Sequence, residues 1–174
     1  VAGLSGGVAS AQSRTEFAEP ATGMQATAML PANDSEMVGP VSILQVRPDI
    51  WMLTVDGGNI AVETGPDGTL VVNTGPANDC DAVIAAIQHV AKSPIRNIVD
   101  TSADADNIGC NRQVSAVGMA FARGTLGFAA PIIANRNVVL QMISEPGQQF
   151  EAAQLPSEIF TRDLRNMCLN GQGI

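Results

Sequence analysis

Charge is scarce in this chain, and basic charge is scarcer still. Charged residues make up 15% of the 174, and 9 Lys+Arg stand against 17 Asp+Glu, giving a net charge of −8. Lys92 is the sole lysine. A nucleic-acid binder needs a basic footprint that displaces counterions, and none is present. An anionic membrane surface is disfavoured for the same reason. Tyr is absent and Trp51 is the one Trp, so stacking platforms for single strands are missing as well. No apolar run approaches the roughly 18 residues of a membrane-spanning helix, so no transmembrane segment is expected. Histidine is represented once, by His89, so no histidine cluster can be assembled. The three cysteines, Cys80, Cys110 and Cys168, form no CxxC, which excludes zinc-finger and thioredoxin patterns.

What is present is apolar: 45% hydrophobic residues suffice for a core. The cysteines are expected chiefly as small buried hydrophobes. A disulfide is the alternative, and it requires an oxidising compartment. At the start of the chain, Ala9-Ser10-Ala11 follows a small apolar stretch and fits a secretory cleavage pattern. A periplasmic or secreted location is therefore expected, with the cytoplasm as the alternative. Residues 1–40, punctuated by Pro20, Pro31 and Pro40, read as an irregular arm. Residues 41–174 read as the folded part.

From Val41 onward the pattern changes. Val41–Val46, Ile50–Val55, Asn59–Glu63 and Thr69–Asn73 read as short strands joined by Asp56-Gly-Gly58 and Gly65-Pro-Asp-Gly68 turns. A helix follows, capped by Asn78 or Asp79, with Val83, Ile84, Ile87, Val90 and Ala91 on one stripe. Ile95–Asp100 is a buried strand, a helix is expected from Asp106 to Gly118, and Pro131–Ala134 and Asn135–Ser144 continue as strand and helix. Strands first, then alternating helix and strand, indicate an α/β layered fold.

The segment Thr101-Ser-Ala-Asp-Ala-Asp-Asn-Ile-Gly-Cys-Asn111 lies where the buried strand ends and a helix begins, the place where ligands collect in such folds. Asp104 and Asp106, with Asp100 nearby, admit three roles: oxygen ligands for a hard cation, helix caps, or remnants of a metal site. Capping is the leading expectation from the residues alone.

Six segments in order resemble the N-terminal half of the metallo-β-lactamase-fold hydrolases. They are Ile50-Trp-Met-Leu with Gly57-Gly-Asn-Ile-Ala-Val62, Gly68-Thr-Leu-Val-Val-Asn-Thr-Gly75, Ser93–Thr101, Thr101–Asn111, Ala130–Val138 and Leu155–Phe160. The resemblance implies half of an αββα sandwich, completed by a protein partner: a C-terminal half or another subunit. It also places Thr101–Asn111 where the family carries Thr-His-x-His-x-Asp-His-x-Gly-Gly-Asn. There Ser102, Asp104 and Asn107 stand at the histidine positions, and Asp106 alone keeps the family's residue. Asn73 stands for the Asp of Asp-Thr-Gly, and Cys110 for a glycine.

Ser102 and Asn107 are poor zinc ligands, so neither zinc nor a catalytic residue is expected. A hard divalent cation on Asp104 and Asp106 is the open alternative. The resulting expectation is a non-catalytic pseudoenzyme serving as a structural or interaction subunit. The alternatives are a hydrolase of ester, amide or phosphoester bonds with a non-standard metal, or a small-molecule binding module. A serine hydrolase is disfavoured: there is no Gly-x-Ser-x-Gly and no suitable His base.

Overall fold

A computed structural model describes residues 35–122, 128–144, 149–161 and 168–173. The Ala9-Ser10-Ala11 pattern and most of the arm lie outside the described residues.

The first half is a meander of antiparallel strands: β1 (Glu36–Val38), β2 (Val41–Arg47), β3 (Ile50–Val55), β4 (Gly58–Gly65) and β5 (Gly68–Val72). The turns explain its tightness. Asp56 and Gly57 both have positive φ, 44° and 83°, as a two-residue hairpin turn matching the strand twist requires. Strand β1 lies where irregular chain was expected. It is three residues long and forms through pairing of Glu36 with Ile43 and Val38 with Val41, a tertiary contact that local composition does not announce.

The second half alternates. Helix α1 (Cys80–Val90) leads to β6 (Ile95–Asp100), and the short helices α2 (Ala105–Ile108) and α3 (Asn111–Val117) lead to β7 (Ile132–Asn135). Helix α4 (Arg136–Ser144) leads to β8 (Glu158–Phe160). The helix expected from Asp106 to Gly118 is thus two helices, broken at Gly109 and Cys110. Strands β5 to β8 are parallel neighbours, so eight strands lie in one sheet in chain order. A small hairpin, β9 (Cys168–Leu169) with β10 (Gln172–Gly173), is tied to the β4–β5 turn. Asn170 there accepts from the Asp67 amide at 2.9 Å and donates to the Gly68 carbonyl at 3.1 Å.

This order decides where the core sits. Right-handed crossovers that add strands in one direction put their helices on one face of the sheet. Val41, Ile43, Leu53, Ile60, Val62, Val71, Ile98 and Ile132 point to that face and are buried with Val83, Ala86 and Ile87 of α1 and Val114 of α3. A smaller cluster joins Ile108, Ala134, Val138 and Met142.

The residues paired across the other face form a second apolar row. Leu44 pairs with Met52, Met52 with Ala61, Ala61 with Val72, Val72 with Val99, and Val99 with Ile133. Ile133 is buried, Leu44, Val72 and Val99 are half-buried, and Met52 and Ala61 are exposed. Among the described residues, no helix is long and apolar enough to cross a membrane.

Candidate functional site

The candidate site is built by two loops at the carboxyl ends of β5 and β6. One runs from Asn73 to Asp79, the other from Thr101 to Cys110. They are joined rung by rung. The Thr74 amide donates to the Asn107 carbonyl at 2.6 Å, and Gly75 forms a parallel bridge to Ile108. Further along, a Cβ at Gly109 would lie 2.3 Å from the Ala77 nitrogen, so only glycine permits this approach. Cys80 and Cys110 then close the pair with a disulfide, their Cα atoms 5.2 Å apart.

The disulfide corrects the expectation of three buried apolar thiols. Cys80 and Cys110 are buried but bonded, and Cys168 is free and exposed. A separation of 30 residues in sequence gives no local sign of the pairing. It arises because parallel β5 and β6 bring the starts of α1 and α3 together.

Asn73 clamps the mouth of the site. Its φ of 63° is left-handed, which Asn tolerates better than most residues. Its Oδ1 accepts from the Thr101 amide at 3.1 Å and from the Thr101 hydroxyl at 2.9 Å. The residue at this position therefore acts as a backbone brace between β5 and β6.

The four motif positions lie together on the second loop. Asn107 donates from Nδ2 to Ser102 Oγ at 2.8 Å, and the Asp104 amide donates to the same oxygen at 3.3 Å. Ser102 and Asn107 are half-buried, whereas Asp104 and Asp106 are exposed. The capping expectation needs correction in its detail. Asp104 occupies the N-cap position of α2, with φ −69° and ψ 140°, but its side chain makes no capping hydrogen bond. Helix α2 is a single turn, and it is the Asp104 carbonyl that receives the Asn107 and Ile108 amides, at 2.9 and 3.2 Å. Asp79 likewise precedes α1 without a side-chain cap.

Beneath the loop lies a polar network whose roles the sequence did not reveal. Asn111 is fully buried; it donates to Asp100 Oδ2 at 2.8 Å and to the Gln154 carbonyl at 3.0 Å, and accepts from Thr74 Oγ1 at 2.9 Å. It thereby links β6, α3, the Ala152–Gln154 turn and the first loop. Asp100 is buried too, and its Oδ1 has no hydrogen-bond partner among the described residues. Burial pushes its carboxyl up to about 7, against the opposing pull of the Asn111 hydrogen bond. The one sign in sequence was an acid ending an apolar strand.

These donors do not fit a zinc centre. Catalytic zinc wants nitrogen, sulfur or carboxylate ligands with one position left for water. Here a hydroxyl and an amide are hydrogen-bonded to each other, and His89 lies on α1, 3.0 Å from Glu36 on the surface. Among the described residues, no group of three His, Cys, Asp or Glu could hold a metal ion.

No family model matches this chain, and no curated protein sequence does. Solved structures do match. A metallo-β-lactamase of Cronobacter sakazakii described by an HARLDQ motif is 20% identical with a TM-score of 0.55, over 77% of this chain and 51% of that one. A metallo-β-lactamase from Pontibacter korlensis is 15% identical with a TM-score of 0.56, over 76% of this chain and 58% of that one. The fold is half of a metallo-β-lactamase sandwich. The chain spans about half the length of these metallo-β-lactamase structures. At such identities the likeness is one of fold, and the expected α/β half-sandwich is the architecture observed.

Proposed function

We propose that this chain is a non-catalytic metallo-β-lactamase-fold protein, a pseudoenzyme that works as a structural or interaction subunit. The observation that carries this reading is the hydrogen bond from Asn107 to Ser102. Ser102, Asp104 and Asn107 stand where the family resemblance expects histidines. Two of them spend their polar groups on each other, and an alcohol and an amide bind zinc poorly. Written beside the His-Ala-Arg-Leu-Asp-Gln motif named for the Cronobacter protein, Ser102–Asn107 shares the alanine and the aspartate and ends in the smaller amide.

The interaction half of the reading rests on the apolar row from Leu44 to Ile133. An open sheet face bearing Leu, Met and Val at paired positions suits a second β-layer. We assign that layer to a protein partner, a C-terminal half or another subunit, and exclude nucleic acid on charge. The bridge between Cys80 and Cys110 supports a periplasmic or secreted location, since such bonds persist in oxidising compartments.

Native mass spectrometry of the complex isolated from its source tests the proposal. A metal-free assembly with further subunits is the expected result, and Val72→Lys should dissolve it while the isolated chain stays folded. The second reading is a hydrolase using a hard divalent cation, and the exposure of Asp104 and Asp106 favours it. A stoichiometric metal lost on Asp104→Asn, or zinc-dependent hydrolysis by the unaltered chain, would overturn the pseudoenzyme.

A further inference from the structure

The disulfide closes the joined loops at the end remote from the motif residues. From Thr74–Asn107 through Gly75–Ile108 and Gly109–Ala77 to Cys80–Cys110, each rung shares its two strands of chain with the next. The first rungs are two backbone contacts, and among the described residues no group of three His, Cys, Asp or Glu ties the loops together through a metal. Helix α2 is one turn long and its N-cap side chain makes no hydrogen bond, so it contributes little rigidity of its own. The covalent bond is therefore the strongest tie between the two loops.

The two cysteines differ in their surroundings. Cys110 is fully buried, while Cys80, buried but for 6% of its surface, is among the residues Ala77–Ala82 and Gln113 that line an open cleft of about 360 Å³. Each sulfur also lies beside a backbone carbonyl, Cys80 Sγ 3.2 Å from Ala77 O and Cys110 Sγ 3.1 Å from Pro76 O. If the bond opens, both thiols find acceptors already in place. Reduction then leaves no new unsatisfied group in the interior, so its cost is that of the lost cross-link alone.

We propose that Cys80–Cys110 is a thiol-exchange site, entered at Cys80, that sets the rigidity of the loop carrying Ser102, Asp104, Asp106 and Asn107. The co-reactant is a dithiol. Its thiolate attacks Cys80 Sγ, the S–S bond breaks, and Cys110 leaves as a thiolate that takes a proton from water. The second thiol of the reagent, deprotonated, then displaces Cys80, and the reagent becomes a disulfide. Two electrons pass from reagent to protein. Asp79 and Asp81 line the same cleft, so a cationic thiol reacts faster than an anionic one. The proposal is independent of whether the chain is catalytic.

The test uses the full chain with dithiothreitol under native conditions, followed by iodoacetamide mass counting and amide hydrogen exchange. One alkylated thiol is expected before reduction and three after. Exchange at residues 101–111 should rise at least tenfold, with β2–β4 unchanged, and reoxidation should reverse it. Cys110→Ser should form a mixed disulfide at Cys80 with cystamine, one cysteamine leaving as its thiol, several times faster than with oxidised glutathione. Cys80→Ser should gain no adduct at Cys110, while the exposed Cys168 reacts in both variants and serves as the internal reference. Resistance of the native disulfide to reduction, global loss of protection on reduction, or unchanged exchange at 101–111 would each overturn the switch. If either single variant fails to fold, the reversible reduction of the unaltered chain decides.

Discussion

The two faces of the sheet are built from the same strands, yet water treats them differently. On one face Ile43, Leu53, Ile60, Val62, Val71 and Ile98 meet α1 and α3 and lose essentially all solvent contact. On the other, Leu44, Met52, Ala61, Val72 and Val99 are as apolar and as regularly paired, yet none is fully buried. The difference lies in the connections, not in residue type: every crossover helix falls on one side. Apolar side chains on an open face carry stabilisation that is realised only when a partner excludes water.

The largest expected effect lies on the covered face. Ile98→Ala removes a fully buried side chain and should cost about 2–5 kcal/mol in denaturant unfolding. Val72→Ala, one row away on the open face, should cost under about 1 kcal/mol in the isolated chain. The same substitution should cost more in the proposed assembly. Equal losses from the two substitutions in the isolated chain would mean that the open face is already covered, and would sink the docking argument.

Asp100 sharpens the comparison from the edge of the covered face. Its carboxyl is raised to about 7 in the folded chain, above its unfolded value, so the folded chain holds the proton longer. Stability is then highest at low pH as far as this group is concerned. It falls as pH rises from about 4 to about 7, by at most about 4 kcal/mol. Asp100→Asn should abolish that slope and leave the variant more stable than the parent at pH 8. Thermal unfolding of both proteins between pH 4 and 8 reads the difference; parallel curves would remove the buried acid from the account.

These contrasts also show what could be read from the residues alone. The strands β2 to β5 were readable because alternating apolar residues and glycine turns are local signals, and α1 because its stripe recurs at helical spacing. The break between α2 and α3 was not, since it depends on Gly109 fitting against Ala77 across two loops. For the site, Ser102, Asp104, Asp106 and Asn107 do lie together on one loop. The brace from Asn73 to Thr101, the network through Asn111 and the disulfide stayed hidden. Each joins residues about 11 to 43 positions apart, whose meeting depends on strand order and not on any nearby pattern.

Mutation of the open row should change assembly far more than stability. Met52→Lys places a charge on an exposed strand position and should shift isolated-chain stability by about 0.5 kcal/mol or less. Buried against a partner, the same ammonium is desolvated and unpaired, so the assembly should weaken at least tenfold. Size-exclusion chromatography of the complex with and without the substitution reads this. An assembly that tolerates both Met52→Lys and Val72→Lys uses another surface.

The smallest effect belongs to the contact at the rim of the covered face between Glu36 on β1 and His89 on α1, 3.0 Å apart, an ion pair only when the imidazole carries a proton. It spans the same two layers as the core, sheet and helix, but both side chains are about half exposed. Solvent screens the attraction, and ordering two mobile side chains offsets much of it. Glu36→Gln should therefore change stability by less than about 0.5 kcal/mol, and whatever part of that difference is charge attraction should vanish in 1 M salt. Paired melts at low and high salt measure it directly. A loss above about 1 kcal/mol would show that β1 depends on this contact to stay on the sheet. The covered face would then be held at its rim by this polar contact as well as by exclusion of water.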